Sequence, residues 1–176
     1  MAAGLARPIV TIAEAQAFLR IETGEEEALL AGLIRTASGL CEAFINQVVI
    51  LHDFEVDLPA SGCWERVPVT PVRSIGEVDA VDANGVATAM QPSAYSLDID
   101  SAGDGWVRVM QANGKTRLRV RGTAGIADGE NGVPEPIRQG VLRLVSHLFT
   151  MRDGDGGEPP AAVTALWRPY RRLRLA

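Results

Sequence analysis

Near both ends of the chain, apolar residues recur three and four positions apart, and this spacing predicts α-helices. Residues 11–46 contain two of them. Thr11 and Glu14 form a capping box that starts a short first helix, and Thr23 and Glu26 form a second box that starts a longer one. The longer helix carries one broad apolar stripe, so one of its faces is predicted to be buried.

In the middle of the chain, over residues 48–122, the helical period gives way to short runs in which polar and apolar residues alternate. Such runs, separated by Gly, Pro and Asn, predict six or seven short strands in an antiparallel meander. Asn84-Gly85 and Asn113-Gly114 each predict a type I′ hairpin turn, because Asn and Gly accept the two positive φ angles of that turn.

The last predicted strand places three arginines on one face. Leu118 and Val120 alternate with Arg117, Arg119 and Arg121. Because successive side chains of a strand point to opposite faces, the apolar pair is predicted to face the core and the arginines to form a basic strip. This strip is either a solvated outer face of the sheet or a contact surface.

Helical spacing returns toward the C-terminus. Pro134 and Pro136 lie where the first turn of a helix tolerates proline, and they begin a predicted helix over residues 134–152. Residues 153–160 are rich in Gly, Asp and Pro and predict a flexible linker. Residues 161–176 form a tail that mixes arginines with aromatic residues.

Together these elements predict an α+β fold. A small bundle of N- and C-terminal helices carries a central antiparallel β-meander insertion and ends in a flexible C-terminal tail. The terminal helices are expected to pack on each other, because each has only one apolar face to bury. The predicted organisation is therefore a domain over residues 1–152, a linker over 153–160 and a tail over 161–176.

The composition agrees with a folded chain. The 176 residues are 47% hydrophobic and 22% charged, which suits one mid-sized domain and excludes a fully disordered chain. The apolar stretches fall short of the roughly 20 residues that cross a bilayer, and no secretory signal is expected, so we expect a protein made in the cytoplasm. Cys41 and Cys63 are too few for a disulfide scaffold or a four-cysteine zinc site, and Cys41 is predicted to be a core residue.

Charge is distributed unevenly along the chain, whose formal net charge is -5. Residues 1–60 hold nine acidic and three basic residues, whereas residues 161–176 hold four arginines and no acidic residue. A chain with an acidic start and a basic end can pair head to tail with copies of itself or bind a charged partner. The mixture of Trp167, Tyr170 and arginine in the tail suits either a nucleic-acid contact or an anchor in a protein interface.

No residue pattern indicates catalysis. His52 and His147 lie outside any metal-ligand spacing, and the glycines form neither a phosphate-binding loop nor a nucleophile elbow. We therefore expect a protein that is not an enzyme and that holds no cofactor or metal. Two acidic clusters lack the spacing of an EF-hand and are predicted to be solvated turn residues: Asp98, Asp100 and Asp104, and Asp153 and Asp155.

Short sequence runs follow one another in a recognisable order along nearly the whole chain. They are Thr-Ile-Ala-Glu-Ala at 11–15, Pro-Val-Arg-Ser-Ile at 71–75, Gly-Thr-Ala-Gly at 122–125, Pro-Glu-Pro-Ile at 134–137 and Leu-Trp-Arg-Pro-Tyr-Arg at 166–171. In this order they resemble the head–tail connector (adaptor) family of long-tailed phages and of gene transfer agents.

The resemblance implies a structural role without catalysis. Proteins of this family form a ring, usually a dodecamer, beneath the portal protein. The ring extends the DNA channel without sequence-specific contact to DNA, and it docks a stopper or tail-terminator protein below. Their C-terminal segment binds the portal, and the corresponding residues of this chain are Leu166, Trp167, Arg168, Tyr170, Arg171 and Arg172.

The resemblance also implies contacts between copies of the chain. Subunits of a closed ring meet through two different patches. An acidic patch and a basic patch would meet here, formed by Glu25, Glu26 and Glu27 and by Arg117, Arg119 and Arg121. The flexible linker would leave the tail disordered until assembly orders it on its partner.

Two other functions stay open on the residues alone. A stopper or tail-completion protein of the same particle would contain fewer helices. A DNA-binding protein that uses the basic tail would bind duplex DNA with an affinity that falls steeply with salt. Neither function involves a membrane, and in the connector function the wall of the DNA channel is expected to be acidic or neutral.

Overall fold

The structure is a computed structural model, and it describes residues 7–21, 26–110, 117–151 and 159–172. The chain divides into two compact units. Residues 51–126 form one, called here the β unit, and residues 2–50 and 127–176 form the other, the helical unit. Helices lie toward both ends of the chain and strands between them, which confirms the predicted α+β class.

The described part of the helical unit contains four α-helices. They are α1 (Ile12–Leu19), α2 (Glu27–Ile45), α3 (Glu135–Thr150) and α4 (Ala161–Trp167), and a 3-10 turn over Arg168–Tyr170 continues α4. A further 3-10 turn covers Glu130–Gly132. Helix α3 begins directly after Pro134 with Pro136 in its first turn, as predicted.

The ends of α1 and α2 follow from local chemistry. The predicted capping box of α1 forms: the Thr11 hydroxyl accepts a hydrogen bond from the backbone of Glu14, and the Glu14 carboxylate accepts one from the backbone of Thr11 at 2.8 Å. Thr23 lies outside the described residues. Glu26, at the N-cap of α2, makes no side-chain capping hydrogen bond. Asn46 ends α2 in a left-handed conformation with φ 56°.

Helix α3 is the centre of the helical unit, where it packs on α1, α2 and α4. The terminal helices therefore pack on each other, as their single apolar faces predict. Each helix buries one stripe of side chains because its apolar residues recur at helical spacing. The largest fully buried side chains from this unit include Ile9, Leu30, Ile34, Ile45, Ile137, Leu144 and Trp167.

Helix α2 has the length and apolar composition of a membrane span, contrary to the expectation from the sequence. Its buried residues, which include Leu30, Ile34 and Cys41, lie along one stripe of the helix. The core helix of a folded domain has the same length and composition, so α2 is weak evidence for a membrane. The buried position of Cys41 confirms the prediction that it is a core residue.

Residues 161–172 are part of the helical unit. Helix α4 packs on α3 and α2, and its residues Val163 and Trp167 are buried. This arrangement differs from the flexible tail predicted for 161–176, because the apolar side chains of α4 find their burial partners in the same chain. The predicted linker residues 153–158 and the last residues 173–176 lie outside the described residues.

The described part of the β unit contains seven strands, β1 (His52–Pro59), β2 (Glu65–Arg66), β3 (Val72–Val81), β4 (Ala87–Ala89), β5 (Tyr95–Ile99), β6 (Gly105–Val109) and β7 (Arg117–Ala124), with a 3-10 turn over Pro92–Ala94 before β5. They form two antiparallel sheets, a four-stranded sheet in the order β1-β7-β3-β4 and a three-stranded sheet in the order β2-β6-β5.

The strands are not connected as the predicted meander. Strand β7 lies between β1 and β3, although it follows both in the chain. Strands β6 and β7 belong to different sheets, so they do not form the hairpin predicted at Asn113-Gly114; these two residues themselves lie outside the described residues. The cause is a pairing between distant segments, which no local turn signal reveals.

The β3–β4 hairpin forms at Asn84-Gly85 with a different turn from the one predicted. Gly85 has φ 84°, whereas Asn84 has no positive φ. The Gly85 N–H donates to the Asp82 carbonyl at 3.1 Å, as in a type I turn followed by a left-handed glycine. The Asp82 carboxylate also accepts hydrogen bonds from the backbones of Asn84 and Val86, at 2.9 Å each, which stabilises this alternative turn.

The two sheets share one hydrophobic core. Both contribute their inward-facing residues to it, and the buried members are Phe54, Leu58, Val67, Val72, Val78, Val107, Val109, Leu118, Val120 and Ala124. The outer faces of the two sheets therefore point away from this common core.

Two of the sequence runs that carry the family resemblance hold the four-stranded sheet together. Arg73, in the run Pro-Val-Arg-Ser-Ile, donates to the carbonyls of Gly125 and Ile126 at 2.9 and 2.6 Å and so fixes the end of β7. Gly122, in the run Gly-Thr-Ala-Gly, faces an irregular stretch of β3. A Cβ atom there would overlap the carbonyl oxygen of Ser74 and the ring of Phe54, so this position requires glycine.

Candidate interaction surfaces

The three arginines predicted as a basic strip lie on the outer face of the four-stranded sheet, and acidic residues flank them on both sides. In the register of the sheet, Arg121 faces Glu55 of β1 and Glu77 of β3. Its Nε donates to Glu55 at 2.7 Å, and its Nη1 donates to Glu77 at 3.1 Å and to Asp79 at 2.8 Å. Arg121 is thus shared among three carboxylates.

The other two arginines of β7 share one carboxylate. Arg119 donates from Nε and Nη2 to the two oxygens of Asp57, at 2.9 and 3.3 Å. Arg117 approaches the same carboxylate at 3.7 Å. Arg119 also lies 3.6 Å from Glu55, so the pairs on this face form one continuous network.

The ion pairs shift the ionisation of their members. The hydrogen bond from Arg119, with the charges of Arg119 and Arg117, holds the pKa of Asp57 below its ordinary value. The hydrogen bond to Asp57 raises the pKa of Arg119, and hydrogen bonds to Glu55 and Asp79 raise that of Arg121. Both the acids and the arginines are therefore held in their charged forms.

This network corrects the prediction of a basic strip. The arginines of β7 are neutralised by carboxylates of β1 and β3, because neighbouring strands place opposite charges at adjacent positions. Asp53, on the same face of β1, adds a further negative charge. The face as a whole carries an excess of acidic residues, and we call it the acidic sheet face: Asp53, Glu55, Asp57, Glu77, Asp79, Arg117, Arg119 and Arg121.

The predicted acidic patch lies in the helical unit. Glu27 is exposed in the first turn of α2 and Glu26 is half-buried beside it, whereas Glu25 lies outside the described residues. Carboxylates at this end of a helix interact favourably with the helix dipole. The two predicted patches thus belong to different compact units of the chain.

Trp167, predicted as a portal anchor, lies in the interior of its own helical unit. Its side chain is 2% exposed. The indole Nε1 donates to the carbonyl of Ile137 at 3.2 Å, and the ring lies 5.9 Å from that of Phe44. The indole occupies the space left by Gly140, where a Cβ atom would overlap it. In this conformation Trp167 therefore anchors α4 to α3.

The turn after Trp167 is also attached to the helical unit. The Arg172 N–H donates to the carbonyl of Ile45 at 2.9 Å, and the Gln47 side chain donates to the carbonyl of Tyr170 at 2.6 Å. The guanidinium of Arg171 lies over the Phe44 ring, 5.4 Å from its centre. The C-terminal segment is thus held at the end of α2 by its backbone.

The predicted portal-binding residues accordingly divide into two groups. Arg168 and Arg171 are exposed, and Leu166, Tyr170 and Arg172 are half-buried. Trp167 differs from the expectation, because it is buried within the chain rather than presented to a partner. The exposed arginines are the part of this segment that a partner reaches without displacing α4.

The described acidic cluster near residue 100 has a structural role. The Asp100 carboxylate accepts hydrogen bonds from the backbones of Ala102 and Asp104 at 2.9 Å each, and Asp104 accepts one from Arg66 at 2.9 Å. Within the described residues, no group of three or more His, Cys, Asp or Glu side chains is arranged to hold a metal ion. Burial raises the pKa of the Cys41 thiol, and this environment is typical of an unreactive core cysteine.

Sequence reasoning missed a second surface, on the outer face of the three-stranded sheet. Arg66 of β2 pairs with Trp106 of β6. One step along the same register, Trp64 lies opposite Arg108. The signal was present in the sequence as the repeated pattern Trp-x-Arg, at 64–66 and at 106–108. We call this surface the Trp–Arg face, and it consists of Trp64, Arg66, Trp106 and Arg108.

Comparison with known proteins gives relatives by structure alone, because no family model and no curated protein matches the sequence. A chain in the neck of an empty gene transfer agent (GTA) particle, computed with C6 symmetry, has a TM-score of 0.78. A chain in the virion of a native GTA particle has a TM-score of 0.77. In both comparisons the match covers 99% of this chain and 95% of the other, at 24% identity.

A third match is a chain in the neck of a native GTA particle computed with C12 symmetry. Its TM-score is 0.73 at 24% identity, and it covers all of this chain (100%) and 94% of the other. Because the likeness extends over nearly the full length of each chain, both compact units have counterparts in these structures. This chain therefore shares the fold of proteins found in GTA particles.

Proposed function

We propose that this chain is a structural protein of the neck of a phage-like particle, a head–tail connector of the kind found in gene transfer agents. The observation that carries the proposal is the shared fold, which covers 99% of this chain in a match to a neck protein of a GTA particle. The sequence runs at 71–75, 122–125 and 134–137 support it independently. In this function the chain is made in the bacterial cytoplasm and ends in the particle, at the head–tail junction.

The proposed assembly is a ring of identical subunits. The matching neck structures were computed with C6 and C12 symmetry, which supports a cyclic arrangement and is compatible with a dodecamer. In a closed ring each subunit contacts its neighbours through two different surfaces. The β unit offers two such surfaces, because the outer faces of its sheets point away from one core.

The ring would lie under the portal protein and extend the DNA channel. A channel wall that strongly attracts phosphate would slow the passage of DNA. The neutralised arginines of β7 fit a protein that DNA passes without being held, and they weaken the alternative of a DNA-binding protein. A stopper or tail-terminator protein would dock on the opposite end of the ring.

The C-terminal segment is the proposed portal-binding element. Trp167 holds α4 on α3, so the segment would dock on the portal as a folded element rather than as a disordered tail. Arg168 and Arg171 are exposed on it and would contact acidic groups of the portal, with Leu166, Tyr170 and Arg172 at the edge of the contact.

Cryo-electron microscopy tests the proposal, applied to complete particles and to the purified chain mixed with the portal protein of the same particle. The expected result is a ring of this chain directly below the portal, with residues 161–172 against portal density. Particles whose neck contains no density for this chain would overturn the proposal. A monomer that ignores the portal but binds duplex DNA with steep salt dependence would favour the DNA-binding function instead.

A further inference from the structure

The Trp–Arg face combines residue types that dominate protein interfaces. Trp and Arg are the side chains most often responsible for binding energy between proteins. The antiparallel register places each tryptophan opposite an arginine across β2 and β6. Neither residue pair is needed for the shared core, whose buried members come from the opposite side of the strands.

The described residues leave part of this face uncovered. Trp64 is 44% exposed, and Arg108 is exposed while its Nε donates to the carbonyl of Gly62 at 3.1 Å. Trp106 is half-buried, with its indole Nε1 3.3 Å from Asp100. Arg66 binds Asp104 through Nη2 at 2.9 Å, but its buried Nε has no hydrogen-bond partner.

The acidic sheet face has the complementary character. It carries five carboxylates and three arginines, which leaves it negative. The side chain of Glu77 on this face is 71% exposed, and Asp53 is exposed beside it. The strand positions of the Trp–Arg face and its neighbour Asp98 carry two arginines and one carboxylate, which leaves that face positive.

We infer that the Trp–Arg face of one copy binds the acidic sheet face of the next copy, head to tail. This inference rests on the proposed function, because a ring of identical subunits requires two different complementary patches on each copy. The two faces belong to sheets that share a core and so point away from each other, as propagation around a ring requires. Their opposite charges fix the partner and its orientation.

The occupant is therefore a second copy of this chain, and the interface replaces the predicted contact between Glu25–Glu27 and the arginines of β7. Those arginines are satisfied within their own sheet by Glu55, Asp57, Glu77 and Asp79. Arg108 makes no ion pair among the described residues, and it contributes a positive charge that a neighbour's carboxylates can meet.

Sedimentation of the purified full chain over a concentration series measures this contact. The wild-type chain is expected to self-associate, and the double variant Trp64→Ala/Arg108→Glu is expected to weaken self-association at least about tenfold, since interface Trp and Arg are typical hot spots. Val86→Ala and Arg35→Glu are the matched controls. Val86 is 58% exposed in the β3–β4 turn, and Arg35 is an exposed arginine of α2.

A mixing experiment separates a head-to-tail contact from a symmetric one. The second double variant, Asp53→Arg/Glu77→Arg, changes the acidic sheet face and leaves the Trp–Arg face intact. Each double variant alone is expected to remain monomeric. An equimolar mixture is expected to form a dimer and nothing larger, because only one intact pair of faces remains. Thermal unfolding of each variant checks that the chain is still folded.

The outcomes distinguish this inference from the proposed function. Self-association that is unchanged in folded Trp64→Ala/Arg108→Glu, or a wild-type chain that stays monomeric at every concentration, would overturn the inference. In either case cryo-electron microscopy of the neck still decides the proposed function. A mixture that forms no dimer would likewise overturn the pairing of these two faces.

Discussion

At the scale of single residues, two glycines in helices have opposite roles. Gly140 of α3 faces Trp167, and a Cβ atom there would overlap the indole, whereas Gly32 of α2 has no neighbouring atom within 4 Å of such a Cβ. The periodicity of α3 predicted its apolar face, but it gave no reason to expect glycine within it. The reason is a tertiary contact with a segment that follows in the chain.

Replacement of Gly140 by alanine is expected to destabilise the helical unit. The added methyl group forces the indole from its position, and overpacking of this kind costs about 1–3 kcal/mol. Gly32→Ala is the matched control, and it should stabilise the protein by about 0.5–1 kcal/mol, because alanine is the better helix former. Urea unfolding of both variants measures the difference. Equal effects of the two substitutions would contradict the packing of Trp167 on Gly140.

At the scale of elements, the sequence predicted most helices and strands but not how the strands pair. Capping residues and apolar spacing are local, so α1 begins at Thr11 as predicted, and β3 and β5 match their predicted ranges. The position of β7 between β1 and β3 depends on contacts between residues more than 60 positions apart, such as Arg119 and Asp57. The same pairing converts the predicted basic strip into a neutralised network.

The network on β7 predicts a loss of stability in acid. The pKa of Asp57 is lower in the folded chain than its ordinary value, which is about 3.9 in unfolded peptides. The folded state thus favours the ionised carboxylate, and this contribution is present above the ordinary pKa and is lost as the pH falls below it. Asp57→Asn should reduce the decrease in unfolding free energy between neutral pH and about pH 3.

Asp53→Asn is the control for this measurement. Asp53 lies on the same face of β1, and it makes no ion pair among the described residues. Urea unfolding over a pH series compares the two variants with the wild-type chain. If Asp57→Asn has the same acid dependence as the wild type, the ion pair with Arg119 does not stabilise the folded state.

At the scale of the whole molecule, the C-terminal segment connects folding with the proposed assembly. The sequence predicted both its composition and its contact with a partner, whereas the structure assigns its aromatic residue to the interior. Aromatic side chains are equally suited to a domain core and to an interface, so composition alone does not distinguish them. The position of Gly140 in α3 decides the matter, because it provides the space that Trp167 fills.

This division of roles predicts that two substitutions in the segment act differently on portal binding. Arg168 is exposed at the end of α4, and Arg168→Glu should weaken binding to the portal at least about tenfold without changing the urea unfolding of the chain. Trp167→Ala removes the anchor of α4, so it should lower the unfolding free energy by about 3–5 kcal/mol and weaken portal binding as a consequence. Co-sedimentation with the portal protein measures binding, and Arg35→Glu on α2 is the control for a reversed charge. Binding that survives Trp167→Ala but not Arg168→Glu would indicate that the segment docks in an extended form, and binding that survives both would exclude this segment from the portal contact.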